Sequence, residues 1–437
     1  MLDFPRSWYC PKKLYNIGVF LLFLYAFFGI LWHEVGGKAG TLMAVIGLVA
    51  LIKYAKEIRG SYVLLLFLSA IVLQSASWLS GYIHHPEWVS EMPQIDRLGK
   101  LFIFISVAWW LGGSTKYTLT VWLVSFLGFL TASVWHPGIE EWIRGINGER
   151  VGFGIRNNQH GSMLFGTCLI GWVVFSTRIC NFGEKGCVLR FSIWLIVFVI
   201  CATAVIIGQT RAVWLALVLS ALSSIVVFFV YCISYKNVSI WRSFIWLSFA
   251  LIFVFIVAFI FRDLFISRLS DESWIVKQVM DGNVSSIPAT SIGTRLHSWI
   301  AALEWFKDRP LLGWGGQARG LVIDHSPNLP DFIKENYGHL HNFTIEVVVA
   351  YGVLGFLLMM LLALWMVYAV WCSWKAGIMP NDMALFLVTF FVYWAVVNQF
   401  ESYNSFSTGV YVHNVILGGV VTHYWKYKYG GVPLKHC

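Results

Sequence analysis

Long apolar runs, repeated along the whole chain, constrain its fold more than any other feature of the sequence. The hydrocarbon core of a bilayer is roughly 30 Å thick, so a crossing helix needs about 20 mostly apolar residues. Only helices and closed barrels satisfy their backbone polar groups in lipid. Because the runs lack the period-two alternation of barrel strands, the sequence predicts an all-α, polytopic integral membrane protein.

Length and hydropathy predict twelve membrane spans. Composition agrees, since only 12% of the 437 residues are charged, against about 25% in a typical soluble domain. The first run has full span length and no small-residue cleavage site, so we interpret it as a helix rather than a signal peptide. The predicted spans are 14–31, 39–52, 61–80, 99–113, 117–135, 160–178, 190–208, 212–233, 243–262, 343–371, 383–399 and 408–425.

The distribution of Lys and Arg predicts which side of the membrane each loop faces. With the amino terminus inside, the inside loops are rich in basic and poor in acidic residues, as cytoplasmic loops are. We therefore expect both termini in the cytoplasm. The chain then divides into 1–262 with spans one to nine, an outer loop subdomain over 263–342, and 343–437 with the last three spans and a short tail. Within the loop, 294–306 has the apolar spacing of an amphipathic helix.

His341 is the first candidate for chemistry, because it stands just before the tenth span in the stretch Gly338-His339-Leu340-His341-Asn342. The partial positive charge of a helix amino terminus disfavours a second positive charge on imidazole. A neutral histidine suits the role of general base. An interfacial histidine that caps the helix is the simpler alternative. Glu346, about one turn into the same span, is a candidate to orient His341.

Three arginines fall in predicted outer loops with His341. Arg211 closes the short turn Gly208-Gln209-Thr210-Arg211 between two spans, Arg295 starts the amphipathic segment, and Arg156 precedes the sixth span. A guanidinium can bind a phosphate through two parallel hydrogen bonds. Each arginine alone is equally typical of a solvated or snorkelling side chain. All three arginines are predicted on the same outer side of the membrane as His341, and this shared location indicates a binding site for an anionic substrate.

Several motifs that would indicate other functions are missing. The outer loops hold no Asp-x-Asp pair to place a divalent ion on a sugar diphosphate, and the chain holds no phosphate-binding loop for ATP. No acidic residue lies deep within a predicted span, which weakens the case for an ion-coupled transporter. We therefore expect no metal and no nucleotide cofactor.

Two motifs resemble those of the O-antigen ligase family. One is Arg211 followed four residues later by Leu215; the other is His341-Asn342, nine residues, and then Gly352. The stretch from Arg295 to Gly315 also resembles the loop before the histidine in the wider ligase/polymerase superfamily. We prefer His341 to His339 as the family's histidine because the nine-residue spacing fits it alone. The twelve-span topology is similar to that of GT-C glycosyltransferases.

This resemblance implies a function and a mechanism. The donor would be a glycan on undecaprenyl diphosphate at the periplasmic face of the bacterial inner membrane, and the acceptor a sugar hydroxyl of lipid A–core. Transfer would invert the anomeric carbon without a metal. His341 would be the general base, Arg211, Arg295 and Arg156 would bind the diphosphate, and His339, Asn342 and Gln209 would have secondary roles.

Three alternatives stay open. An O-antigen polymerase or a protein O-oligosaccharyltransferase would use the same donor with another acceptor. A flippase or transporter of lipid-linked glycan belongs to a different class and would need basic residues along a path through the membrane. Here the arginines lie on one predicted side of the membrane, which favours an enzyme over a transporter.

Overall fold

The structure is a computed structural model that describes residues 10–181, 184–234, 287–288 and 290–430, with four isolated positions between 235 and 286. This part of the chain is helical and holds no strand, as predicted. The helices are α1 Lys12–Leu31, α2 His33–Tyr54, α3 Tyr62–His84, α4 Asp96–Gly99, α5 Phe104–Leu111, α6 Thr115–Trp135, α7 Ile139–Ile146, α8 Asn158–Val174, α9 Ser176–Cys180, α10 Cys187–Ile207, α11 Arg211–Ser234, α12 Ser291–Asp308, α13 Ala318–His325, α14 Asp331–Asn336, α15 Phe343–Lys375, α16 Asn381–Val397 and α17 Ser407–Tyr429.

Six of these helices are long and apolar enough to cross a membrane: α1, α2, α3, α6, α10 and α15. Two shorter apolar stretches, 211–227 and 381–397, fall below the length of a full span. The chain is therefore a multi-pass membrane protein, while the count of twelve spans stays a prediction. The predicted ninth span, 243–262, lies outside the described residues except at its last position.

The predicted span 99–113 is not a single helix. The chain there forms the short α4, a 3₁₀ turn over Lys100–Phe102, and α5, whose eight residues are all buried. Gly112 and Gly113 then end the segment with positive φ angles of 59° and 70°. The apolar composition reflects burial in the protein rather than contact with lipid, and hydropathy alone does not separate the two.

Helix α17 forms the centre of the molecule, and nearly every side chain from Thr408 to Trp425 is buried. Its polar side chains accept hydrogen bonds from backbone amides of the neighbouring segment 99–113. The Asn414 side-chain oxygen accepts a hydrogen bond from the Phe104 amide at 2.7 Å, and the Thr422 hydroxyl accepts one from the Gly113 amide at 2.7 Å. The first bond satisfies an amide at the amino terminus of α5 that has no intrahelical acceptor, and the second satisfies the Gly113 amide just beyond the end of the helix.

Helix α15 is broken at Gly352, which has φ 63° and ψ −161°. The loop after α12 fills the break. The amides of Trp314 and Gly315 donate to the carbonyls of Val349 and Ala350 at 3.0 and 2.8 Å, and the Val353 amide donates to the Pro310 carbonyl at 2.8 Å. Residues 343–351 therefore form a short helix of their own, locked to the loop, and its amino terminus carries the candidate site.

The helix expected over 294–306 is present as α12. Its buried face has small side chains such as Thr294, Ser298 and Ala302, which let it pack closely. Ile300 and Leu303 are exposed on the opposite face at 40% and 51%. An apolar face left uncovered by the protein is typical of a helix that lies in a membrane interface.

Candidate active site

His341 lies in a tight turn before α15 and is buried, with 7% of its surface exposed. The next residue, Asn342, begins the helix: its side-chain oxygen accepts a hydrogen bond from the Ile345 amide at 3.0 Å. The Phe343 amide donates to the Asn398 carbonyl at 2.9 Å. Because Asn342 is the cap, His341 is not needed for capping, and its backbone adopts a left-handed φ of 53°. Such strain is characteristic of functional positions.

Glu401, in the loop between α16 and α17, joins the two histidines. Its Oε2 lies 3.0 Å from Nδ1 of His341, and its Oε1 lies 2.9 Å from Nε2 of His339. The Ser402 amide also donates to Oε1 at 3.0 Å. The carboxylate is fully buried. Sequence reasoning missed Glu401, although an acidic residue in a short predicted outer loop was a usable signal.

These contacts fix the protonation of the pair. Burial raises the pKa of Glu401, but the hydrogen bonds from His339 and His341 lower it by more than burial raises it. The net pKa is lowered, so the carboxyl stays ionised. A carboxylate only accepts hydrogen bonds, so Nδ1 of His341 carries a proton. Burial lowers the pKa of His341 more than Glu401 raises it. At neutral pH the ring is therefore neutral and its Nε2 has a free lone pair.

The structure brings two of the predicted arginines to this pair. Nη2 of Arg295 donates to Oε1 of Gln159 at 3.3 Å, and Nη1 donates to the Ser291 hydroxyl at 3.0 Å. Its charge is close enough to contribute to the lowered pKa of His341, after burial and alongside His339. The Arg156 guanidinium carbon lies 3.9 Å from the centre of the Phe406 ring. That ring also contacts His339, with 5.1 Å between ring centres.

Arg211 is the first residue of α11, and the turn before it is held firmly. Gln209, with a positive φ of 46°, donates from its side chain to the Gly148 carbonyl at 2.9 Å. The Thr210 hydroxyl bonds the Ser162 hydroxyl at 2.9 Å. Gln209 is therefore used to hold the turn against a neighbouring loop. The role of the Arg211 guanidinium stays a prediction.

Glu346 holds the backbone around the histidine. Its Oε1 accepts from the Leu340 amide at 3.2 Å and from the Ser402 hydroxyl at 2.7 Å. Its Oε2 lies 3.6 Å from Nη1 of Arg319, a cation that sequence reasoning also missed. Glu346 thus acts on His341 through the adjacent peptide, whereas Glu401 contacts the ring itself.

The side chains of His339, His341 and Glu401 could also hold a metal ion, since one ligand atom from each lies within 4.8 Å of the others. Two features oppose a cation there. One nitrogen of each histidine, Nε2 of His339 and Nδ1 of His341, already has an oxygen of Glu401 at hydrogen-bond distance. Arg156 and Arg295 add positive charge nearby, which Coulomb repulsion makes unfavourable for a cation.

Fold and site together define a multi-pass membrane protein with a buried histidine–carboxylate pair beside arginines. Residues 196–360 match the family model described as O-antigen ligase, which confirms the resemblance found in the sequence motifs. No curated protein matches the chain. The matched segment contains Arg211, Arg295 and His341 and ends before Glu401.

Proposed function

We propose that this protein transfers a glycan from undecaprenyl diphosphate to a sugar hydroxyl of lipid A–core at the periplasmic face of the bacterial inner membrane. The family match supports an activity of the O-antigen ligase or polymerase type. The observation that carries the proposal is the His341–Glu401 contact of 3.0 Å beside Arg156 and Arg295. The histidine can take the proton of the acceptor hydroxyl, and the arginines can stabilise the negative charge of the leaving diphosphate.

The reaction is a single displacement at C1 of the first donor sugar. The acceptor hydroxyl oxygen forms the new bond to C1 while its proton passes to Nε2 of His341. The bond between C1 and the diphosphate oxygen breaks, and its electron pair leaves with the diphosphate. Attack from the opposite side inverts C1. The ionised Glu401 stabilises the imidazolium that forms and keeps the reactive nitrogen facing the acceptor.

Arg211, Arg295 and Arg156 would stabilise the charge on the departing diphosphate. Preorganised positive groups in a site that excludes water lower the barrier because they are already in place when charge develops. A diphosphate is itself a good leaving group, so guanidinium groups can serve where other enzymes use a metal. The reaction as proposed needs neither a metal nor a nucleotide.

Transfer by the purified protein, with competing acceptors, tests this proposal. Undecaprenyl-diphosphate glycan is offered with lipid A–core, with a second lipid-linked glycan and with a Ser/Thr peptide, in the presence of a chelator. We expect glycan attached to lipid A–core alone. Chain extension on the lipid carrier would identify a polymerase, and modified peptide a protein transferase. Movement of lipid-linked glycan across liposomes without a new glycosidic bond would identify a transporter.

A further inference from the structure

Helix α7 has an apolar face that the described part of the protein leaves uncovered. Ile139, Ile143 and Ile146 follow the spacing that aligns side chains along one face of a helix, and each is more than half exposed. Trp135, at the end of the preceding helix, is exposed at 78%. Arg144 is exposed too, but helical geometry turns it well away from the isoleucines. An apolar stripe beside charged residues is typical of a helix that lies in a membrane interface.

The bilayer is the partner that fits this face. The preceding helix, α6, is long and apolar enough to cross a membrane, and Val134 and Trp135 in its last turn are exposed. Gly138, with a φ of 71°, then turns the chain. The Trp142 indole donates to the Ser133 carbonyl at 3.0 Å, which holds α7 against the end of α6. The apolar face of α7 therefore continues the lipid-facing surface at the level of the headgroups, where exposed tryptophans are common.

The protein-facing side of α7 holds the loop that carries Arg156. Oε1 of Glu141 accepts hydrogen bonds from the Gly152 and Phe153 amides at 3.0 and 3.1 Å. The Phe153 ring packs against Trp142 with 4.7 Å between ring centres. Phe153 and Arg156 both have left-handed φ angles, 59° and 33°. Such conformations persist only where the surrounding contacts enforce them, so the position of Arg156 depends on α7.

Helix α7 also holds the turn before Arg211. Gly145 packs closely on the end of α10, since a Cβ added to it would lie 2.7 Å from Cδ1 of Ile207. Just after α7, the Gly148 carbonyl accepts the hydrogen bond from the Gln209 side chain at 2.9 Å. One short helix is therefore connected to both of the outer turns that lead to a predicted diphosphate-binding arginine.

We propose that α7 lies in the lipid headgroup layer and sets the depth of the Arg156 and Arg211 turns relative to the membrane. A lipid-linked glycan has its diphosphate at headgroup level, because a charged group is excluded from the hydrocarbon core. Cations that bind this diphosphate must lie at the same depth. The inference rests on the proposed function for the identity of the ligand, and it adds the element that aligns the site with a donor held in the bilayer.

Spin labels measure the depth of α7 without any substrate. In a cysteine-free background, Ile143→Cys and Arg144→Cys are each labelled with a nitroxide, and the full-length protein is placed in lipid nanodiscs. Collisions with O2, which dissolves in lipid, and with a water-soluble nickel chelate give the depth of each label. We expect the label at position 143 to meet O2 and the label at position 144 to meet the chelate. Equal access of the chelate to both labels, or a label at 143 shielded from both reagents, would overturn the placement.

Kinetics in nanodiscs test the effect of depth on the donor. Ile143→Asp should raise the KM for undecaprenyl-diphosphate glycan about tenfold, because a charged side chain draws α7 out of the interface. The KM for a water-soluble donor with a short prenyl chain should not change, because that donor reaches the arginines from water. Ile143→Leu keeps the apolar face and is the matched control, with wild-type values for both donors. A KM raised equally for both donors would indicate damage to the site and contradict a role in depth.

Glu141→Ala tests the connection to Arg156. The label at position 143 should stay in lipid, while the KM rises for both donors, because the loop loses the carboxylate that holds its amides. An unchanged KM in this variant and in Ile143→Asp would overturn the coupling. A wild-type protein with the label at 143 in lipid but without any glycosyl transfer would refute the proposed function and leave the placement of α7 standing.

Discussion

At the scale of single residues, Glu401 determines what His341 can do. It contacts Nδ1, so it fixes which ring nitrogen faces the substrate. Its ionised state rests on two histidine hydrogen bonds that outweigh the effect of burial. His339 contacts the other oxygen and is oriented by the same group. The three side chains therefore act as one unit, and their substitutions should not be additive.

Glu401→Gln should slow transfer strongly. An amide cannot stabilise the imidazolium, and its NH2 group can face Nδ1 and favour the unreactive tautomer. A positioned base contributes about 10²–10⁴-fold to a rate, so we expect kcat to fall by about 10²-fold or more with KM for both substrates little changed. Initial rates with purified protein measure this. An unchanged kcat would remove Glu401 from the mechanism.

The pH profile gives a second test at this scale. His341 acts only when neutral, so activity should be full above its pKa and fall as the pH drops through it. Because burial lowers that pKa, the midpoint should lie below the ordinary value of 6.5. Glu401 raises the pKa of His341, so the midpoint in Glu401→Gln should move lower still. A midpoint above 6.5, or one that moves upward in the variant, contradicts the assignment.

At the scale of elements, the break in α15 explains the spacing of the histidine motif. Nine residues separate Asn342 from Gly352, and they form the short helix that the loop around Trp314 holds in place. The motif therefore encodes a helix of fixed length that ends at a residue able to leave helical geometry. The ψ of −161° with positive φ at Gly352 lies in a region open almost only to glycine.

Gly352→Ala should destabilise the protein and displace the site. A Cβ at this position would lie 2.2 Å from the Leu311 carbonyl oxygen, in addition to the backbone strain. We expect a clear loss of thermal stability in detergent, by about 2 kcal/mol or more. Gly37→Ala is the control, because nothing lies within 4 Å of its added methyl group and its site is helical. Equal unfolding temperatures for both variants would contradict this account of the break.

The sequence allowed the elements to be predicted better than their contacts. His341 and its helix were found because motif and helix start lie close together in the chain. Glu401 lies 60 residues further on, and nothing in spacing or hydropathy pairs the two. The segment 99–113 was misread because a buried helix and a lipid-facing helix have the same composition. The bonds from Asn414 and Thr422 that satisfy it come from a helix about 300 residues away.

At the scale of the whole molecule, function depends on which side of the membrane holds the site. The basic residues of the predicted inside loops predict that α12 and His341 lie on the periplasmic side. Lipid-linked glycan would then meet the arginines from the bilayer, and the acceptor would enter from the aqueous side or from the same leaflet. The exposed apolar face of α12 is consistent with contact at that interface.

Cysteine labelling measures this topology. In a cysteine-free background, Glu304→Cys on α12 should react with a membrane-impermeant maleimide in intact cells with a permeabilised outer membrane. Lys375→Cys, exposed at the far end of α15, should react only after the inner membrane is opened. The reverse pattern would place the site in the cytoplasm and exclude a periplasmic ligase.

The most direct test of the central claim is single-turnover transfer by the His341→Ala protein. Undecaprenyl-diphosphate glycan and lipid A–core are supplied at saturating concentration with a chelator, and glycosidic bond formation is followed against wild type. We predict that His341→Ala inserts, binds the donor as wild type does and forms no product on the wild-type time scale. Product formation at the wild-type rate would show that His341 is not the base.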